Sequence, residues 1–212
     1  MQCIGILGGT FNPIHYGHLR IAQETAEAFA LTQVKFIPAA KPPLKTEPNV
    51  SAKQRAAMVQ LAIASNPLFG LDTRELERDG PSYTIYTLSS LRAEHPTDAL
   101  CLIIGTDAFI HFDQWHRWQH ILDYCHLIVV SRPPLADLDL SEPLRKLLQK
   151  HHTHDATQLS QQTHGLIAMH TVTSLDISSS QIRNLVRSHQ NPAYLCPETV
   201  ISYIQTNQLY TA

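Results

Sequence analysis

A chain of 212 residues, 43% of them hydrophobic, is long enough to bury the core of one compact domain. Its 16 Lys and Arg against 18 Asp and Glu leave a net charge of −2 and no polybasic run, which argues against coating nucleic acid and leaves single cations for a small anionic ligand. No segment approaches a membrane span, and the apolar run CIGIL is too short and lacks the basic flank of a secretory leader, so a cytoplasmic protein is expected.

Residues 2–7, QCIGIL, form a short apolar run ahead of two glycines, as a buried parallel strand does. Leu19, Ala22, Ala26 and Phe29 then recur at helical spacing over 17–30. A second strand is expected at 34–39, and a loop at 40–52, rich in Pro, Lys and Ala and long enough to suggest a functional role. The spacing predicts a helix over 53–65 with Met58, Leu61 and Ala62 on one face, a strand at LDTREL (71–76), and a helix over 84–94 carrying Ile85, Leu88 and Leu91. LCLIIG (100–105) is another buried strand, followed by a short helix and the aromatic segment FDQWHRW. HLIVVSR (126–132) is a strand closed by Pro133 and Pro134, 142–151 a helix, 152–164 a polar loop and LIAMHTV (166–172) the last strand. Two helices finish the chain at about 178–188 and 197–206, the second opened by Pro197 and Glu198. Strands alternating with helices predict an α/β fold: a doubly wound, mostly parallel sheet with helices on both faces, binding ligands beyond the carboxyl ends of its strands.

The cysteines, Cys3, Cys101, Cys125 and Cys196, are far apart with no CxxC, and are expected as buried free thiols in a reducing compartment. Thirteen histidines is a high count, and most are expected to be surface or structural residues. The tract His151, His152, His154 has only Asp155 beside it as a carboxylate and reads as a solvated helix end rather than a metal site.

The stretch GGTFNPIHYGH (8–18) lies where a doubly wound sheet holds its ligand. Gly8 and Gly9 permit close approach to bare backbone and tolerate positive φ. Free N–H groups there and at the start of the following helix make an anion site. His15 falls just before that helix and His18 in its first turn, with Gly17 leaving room for a phosphate chain. Neither GxGxxG nor GxxxxGK[ST] is present, so ordinary dinucleotide binding and kinase chemistry are not indicated. A second constellation, DISSSQIR (176–183), opens a helix with three serines whose hydroxyls and N–H groups are expected to point one way, with Arg183 one turn after Ser179 and Ser180. By itself it fits ordinary capping beside a surface arginine. Paired with the first motif it reads as a phosphate clamp.

Together, GGTFNPIHYGH and ISSSQIR resemble the HxGH…ISSxxIR pattern of the nucleotidyltransferase superfamily. PPLK (42–45), PSYT (81–84) and GTDAF…W (105–115) narrow the resemblance, over residues 2 to about 206, to the bacterial nicotinate-nucleotide adenylyltransferase family. Two positions depart from its pattern: Asn12 stands where Asp is frequent, and Leu44 where a PPHK-like loop has His. The resemblance implies a Rossmann-like fold over 1–212 as a single domain, with the helices from about 178 carrying the clamp. It implies transfer of AMP from ATP to nicotinate mononucleotide, giving deamido-NAD and pyrophosphate, with Mg²⁺ carried on the ATP phosphates and no metal ligands reserved on the protein.

His15, His18 and Arg183 would be catalytic. Gly8, Gly9, Thr10, Phe11, Gly105, Asp107, Arg132, Ile177 and Ser180 would join them in holding ATP, with Gly105 and Asp107 at the ribose and Arg132 and Ile177 beside the adenine. Asn12, Lys45, Tyr83, Thr84 and Trp115 would bind the mononucleotide, Trp115 by stacking on the pyridine ring. Asp107 also fits a helix N-cap, Trp115 a core aromatic and PSYT an ordinary cap. The alternatives are a nicotinamide-mononucleotide or pantetheine-phosphate adenylyltransferase, or a non-catalytic nucleotide-binding regulator on the same scaffold. Nothing in the chain sets an oligomeric state.

Overall fold

In the computed structural model, which describes residues 1–43, 48–131 and 139–211, strand β1 (Cys3–Gly9) turns Cys3 and Leu7 to one face of a sheet and Ile4 and Ile6 to the other. This period-2 alternation, apolar on both sides, is what a strand buried between two helical layers requires. The chain continues through α1 (Tyr16–Ala28), β2 (Gln33–Pro38), α2 (Ala52–Ile63), β3 (Phe69–Leu71), α3 (Thr84–Glu94), β4 (Ala99–Gly105) and the short α4 (Thr106–Phe109). Then come β5 (His126–Ser131), α5 (Glu142–His151), β6 (His152–Thr153), β7 (Ile167–Thr171), α6 (Ser179–Arg187) and α7 (Glu198–Thr206). The described strands pair in parallel in the order β3-β2-β1-β4-β5-β7-β6.

One core joins Met58 and Val59 of α2, Ala22 and Ala26 of α1, Ile182 of α6 and Val200, Ile201 and Ile204 of α7 to one face of the sheet. The opposite core joins Ile85, Leu88 and Leu91 of α3, Phe109, Phe112 and Leu144 to the other. Each fully buried Leu, Ile, Val or Phe contributes roughly 1.5–3 kcal/mol against exposure. The strand order runs outward from β1 to β3, then returns to β4 on the other side of β1, so the crevice beyond the carboxyl ends of β1 and β4 is the switch point.

The doubly wound fold is as expected, and the differences are local. LDTREL is not a strand: β3 ends at Leu71, because the Asp72 carboxylate accepts the Arg74 N–H at 3.1 Å and turns the chain. Leu61 is exposed rather than on the buried face of α2 with Met58. The stretch 152–164 is not only loop. It contains edge strand β6 and a 3₁₀ turn at Ala156–Ser160, which Asp155 caps by accepting the Thr157 N–H at 2.9 Å. The histidine tract is correspondingly more than a solvated helix end: His151 hydrogen-bonds the Gly165 carbonyl at 2.7 Å, and the His152 ring packs on His154. All four cysteines are buried free thiols.

His126 is fully buried in β5. Its Nδ1 accepts the Leu166 N–H at 3.1 Å and its Nε2 donates to the Gln162 carbonyl at 2.9 Å, so the neutral ring pins the 162–166 segment to the sheet. Burial holds its pKa below the ordinary value near 6.5, and His152 and His170 are shifted the same way. Above that pH the ring is neutral in both folded and unfolded chains and adds no pH dependence. Below it only the unfolded chain takes the proton, so stability falls as pH drops from 6.5 towards the native value. We predict that His126→Gln unfolds with a shallower loss of stability between pH 7 and 5, by at most about 1.4 kcal/mol per pH unit. Denaturant titrations at several pH values check this; parallel curves for the two proteins would remove His126 from the acid sensitivity.

Candidate active site

The N-terminus of α1 is capped by imidazole. His15 is the N-cap residue, and its Nδ1 accepts the Gly17 N–H at 3.1 Å. His18, three residues on, returns the favour: its Nδ1 accepts the His15 N–H at 3.3 Å. This is the reciprocal geometry of a capping box, built from two histidines instead of Ser and Glu. The rings lie 3.8 Å apart, tilted by 35°. Because each Nδ1 is an acceptor, the neutral ring carries its proton on Nε2, the atom on the far edge from the helix. Gly17 has a different use from the one expected. A Cβ there would stand 2.9 Å from His15 Nδ1, so the space it leaves is occupied by the His15 ring and not by a phosphate chain.

The turn leading into the cap also differs. Neither Gly8 nor Gly9 has positive φ; both lie in β1, and the left-handed residue is Phe11, at φ 46°. A Cβ on Gly9 would meet the Phe11 ring at 3.0 Å, whereas around Gly8 there is open space. Phe11 also meets His18 edge-on, with centroids 5.1 Å apart. Gly8 thus presents bare backbone to open space, and Gly9 admits the Phe11 ring.

Helix α6 is bolted to this turn. Ser179 Oγ donates to the Pro13 carbonyl at 2.8 Å, and Arg183 Nη1 donates to the Asn12 carbonyl at 2.8 Å. Arg183 Nη2 donates to Ser180 Oγ at 3.0 Å. The three serine hydroxyls do not point one way. Ser178 caps α6 by accepting the Gln181 N–H, Ser179 anchors the helix, and only Ser180 joins Arg183 at the exposed edge. The Ile177 carbonyl lies 3.7 Å from where a Gly17 Cβ would be, which places this residue at the α1 N-terminus as well. The Asn12 side chain accepts the Tyr210 hydroxyl at 2.7 Å, and burial keeps that phenol protonated far above its ordinary range.

Beyond the carboxyl ends of β1, β2 and β4 lies a cavity of about 230 Å³. Gly8, Gly9 and Thr10 line one part of it, and Tyr83, Thr84 and Trp115 another. Trp115 is partly buried, packs on Phe112 with centroids 5.3 Å apart and also lines the cavity. Tyr83 is the N-cap of α3 without a side-chain cap bond, and its ring stacks on His116 at 4.4 Å. Gly105 is the N-cap of α4, so the cap reading of Asp107 fails; Asp107 sits exposed in the first turn, its Oδ1 filling the position 2.3 Å from where a Gly105 Cβ would be. Lys45 and Leu44, and Arg132 after β5, lie outside the described residues.

Several residues of this region escape sequence reasoning. Ser82, inside the PSYT motif, accepts the N–H groups of Ala40 and Lys41 at 3.0 and 3.2 Å and so ties the 40–43 loop to α3. Glu75, buried in the cavity wall, accepts the Thr87 hydroxyl at 2.6 Å. Arg55, only 1% exposed, donates to the carbonyls of Thr10, Ala39, Ala40 and Val50. Motif reading favours residues that present polar atoms to a ligand; Ser82 and Arg55 are turned to backbone, and Glu75 to the Thr87 hydroxyl.

A cytidylyltransferase-like family model matches residues 6–185. A protein of Acidithiobacillus ferrooxidans named "Probable nicotinate-nucleotide adenylyltransferase" is 47% identical over 97% of this chain and 94% of its own. One of the same name from Aeromonas salmonicida is 46% identical over 99% and 97%. Among solved structures, Plasmodium falciparum nicotinic acid mononucleotide adenylyltransferase complexed with NaAD superposes with a TM-score of 0.73 at 17% identity, covering 99% of this chain and 98% of that one; it shows the same fold. Family model and relatives matched over nearly their whole length agree, and the chain belongs to the nicotinate-nucleotide adenylyltransferase family of cytidylyltransferase-like proteins.

Proposed function

We propose that this protein transfers AMP from ATP to nicotinate mononucleotide, forming deamido-NAD and pyrophosphate in NAD biosynthesis. The observation that carries the reading is the joint between α1 and α6. The imidazole pair, Ser180 and Arg183 gather N–H and O–H donors around the turn that follows β1, and the Gly8–Thr10 backbone leading into that turn lines the Tyr83–Trp115 cavity, which these four side chains do not themselves line. Those donors suit phosphates that bring their own metal. Mg²⁺, when bound, would be held by hard phosphate oxygens and would neutralise their charge.

The attacking phosphate oxygen is ionised at neutral pH, so this chain need supply neither a base nor a nucleophile. Its residues hold the two phosphates in line and stabilise charge as it builds. His18 and His15 would donate from Nε2 to the α-phosphate and its neighbours. Ser180 and Arg183 would hold the departing β- and γ-phosphates, Arg183 having part of its planar fork fixed in advance by Asn12. Gly105 and Asp107, beyond β4, would meet the adenosine ribose, with Ile177, and Arg132 outside the described residues, beside the adenine. Trp115 would stack on the pyridine ring, and Lys45 would meet the mononucleotide phosphate.

For the ring substituent, the start of α3 matters. Tyr83 provides no side-chain cap, so the first-turn N–H groups and the Thr84 hydroxyl can serve a carboxylate. Glu75 is the one feature favouring the amide, since a buried carboxylate in the same wall could accept from NH₂. It already accepts the Thr87 hydroxyl, and the acid reading has the larger donor set.

Two outcomes are expected. His18→Ala should lower kcat by roughly 10²–10³, as loss of one preorganised oxyanion donor does, with a smaller effect on the KM for ATP; a kcat near wild type would take His18 out of the reaction. Pyrophosphate release from ATP, measured with nicotinate mononucleotide, its amide and phosphopantetheine as acceptors, should favour the acid over the amide in kcat/KM. The margin expected is on the order of 10²–10⁴, the worth of two charge-assisted hydrogen bonds. Equal values would refute the acid-specific reading, and release with phosphopantetheine alone would move the protein to another branch of the superfamily.

A further inference from the structure

Arg55 is a cation in an unusual place. It lies on α2, is 1% exposed, and among the described residues forms no ion pair. Its Nη1 donates to the Thr10 carbonyl at 2.5 Å, its Nη2 to the carbonyls of Ala39 at 2.7 Å and Ala40 at 3.3 Å, and its Nε to that of Val50 at 3.3 Å. Thr10 follows the Gly8–Gly9 backbone, and Ala39, whose N–H donates to the Gly9 carbonyl at 2.9 Å, forms the adjoining lip of the same cavity. One guanidinium therefore stands a single peptide behind the cavity wall and links both lips.

A buried charge normally has a carboxylate partner, because desolvation is expensive. Here, among the described residues, its hydrogen-bond acceptors are all carbonyls, and the titratable group that acts on it is the Tyr210 phenol, which stays protonated. An arginine stays cationic in such a place. Its field therefore reaches the cavity through low-dielectric protein, where it is weakly screened. A ligand carrying several negative charges at the glycine turn would complete the missing pair.

We propose that Arg55 is a positioning residue of the nucleotide site: it fixes the Thr10 and Ala39–Ala40 lips in register and supplies a buried positive charge that ranks nucleotides by the charge of their phosphates. The proposal rests on the nucleotide reading above. A purely structural arginine would hold the lips and leave that ranking alone.

The test compares wild type, Arg55→Lys and Arg55→Gln by calorimetric affinity for ATP, ADP and AMP, with a thermal melt of each. If wild type fails to bind ATP, the nucleotide reading itself falls. With ATP bound by wild type, Arg55→Gln should weaken ATP by about tenfold or more, ADP by less and AMP by no more than about threefold, because the lost attraction scales with ligand charge. Arg55→Lys keeps the charge but not the fork, so it should melt earlier yet bind ATP within about threefold of wild type. Equal weakening of all three nucleotides in Arg55→Gln would overturn the proposal, as would ATP binding lost as heavily in Arg55→Lys. Should Arg55→Gln fail to fold, Arg55→Lys measured against pH decides: a buried lysine loses its proton as pH rises and an arginine does not, so the ranking of ATP over AMP should flatten at high pH in the variant alone, and a ranking equal to wild type at every pH refutes the proposal.

Discussion

A helix begins with N–H groups that have no partner within the helix, and here two imidazoles supply it. His15 and His18 close the first turn of α1 with the same ring atoms that would otherwise be free to choose a tautomer. The usual capping residues Ser, Thr and Asp would satisfy the backbone equally well but offer no N–H donor on a second edge. Histidine has one. With Nδ1 spent on the helix, Nε2–H is directed away from it, at the point where the helix dipole is positive. The cap and the donor that the proposed reaction would use are thus one arrangement. The rest of the region serves it: Gly17 has no Cβ because the His15 ring needs the space, and Phe11 takes a left-handed φ to bring the chain from β1 into the cap.

Around that turn, backbone carbonyls are the acceptors that hold everything else. Ser179 and Arg183 dock α6 on the carbonyls of Pro13 and Asn12, and Arg55 grips those of Thr10, Ala39, Ala40 and Val50. At the other end of the sheet Arg92 does similar work, donating to the carbonyls of His95, Asp98, Tyr124 and Thr163. Loops leaving a parallel sheet have carbonyls that no strand pairs, and a planar guanidinium with five donors satisfies several at once. The two ends differ in consequence. Arg92 closes a purely structural edge, whereas Arg55 adds its charge behind a candidate phosphate site.

Where the sequence was informative, the reason is local. The alternating apolar runs at β1, β4 and β5 are buried on both faces and could not be mistaken, and the histidine and serine motifs lie at helix starts, whose positions capping chemistry announces. LDTREL misled because Leu71 and Leu76 suggest a strand while Asp72, through its turn with the Arg74 N–H, stops it. Gly17 misled in another way: a missing side chain signals space but not its occupant. Arg55 and Tyr210 were invisible because their partners are a carbonyl and an amide 45 and 198 positions away, and only the folded chain brings them together. Arg132 and Lys45, named from the family pattern, fall outside the described residues and stay proposals.

The proposed donation to phosphate requires each imidazole to carry its proton on Nε2. Nitrogen-15 NMR of protein labelled at histidine, at a pH where the rings are neutral, reads this directly. For both His15 and His18, Nδ1 should resonate as an unprotonated, hydrogen-bonded acceptor and Nε2 as the protonated nitrogen, with or without a bound nucleotide. An Nδ1–H tautomer at His18 would contradict the capping box, and with it the claim that the start of α1 aims a donor at the phosphate.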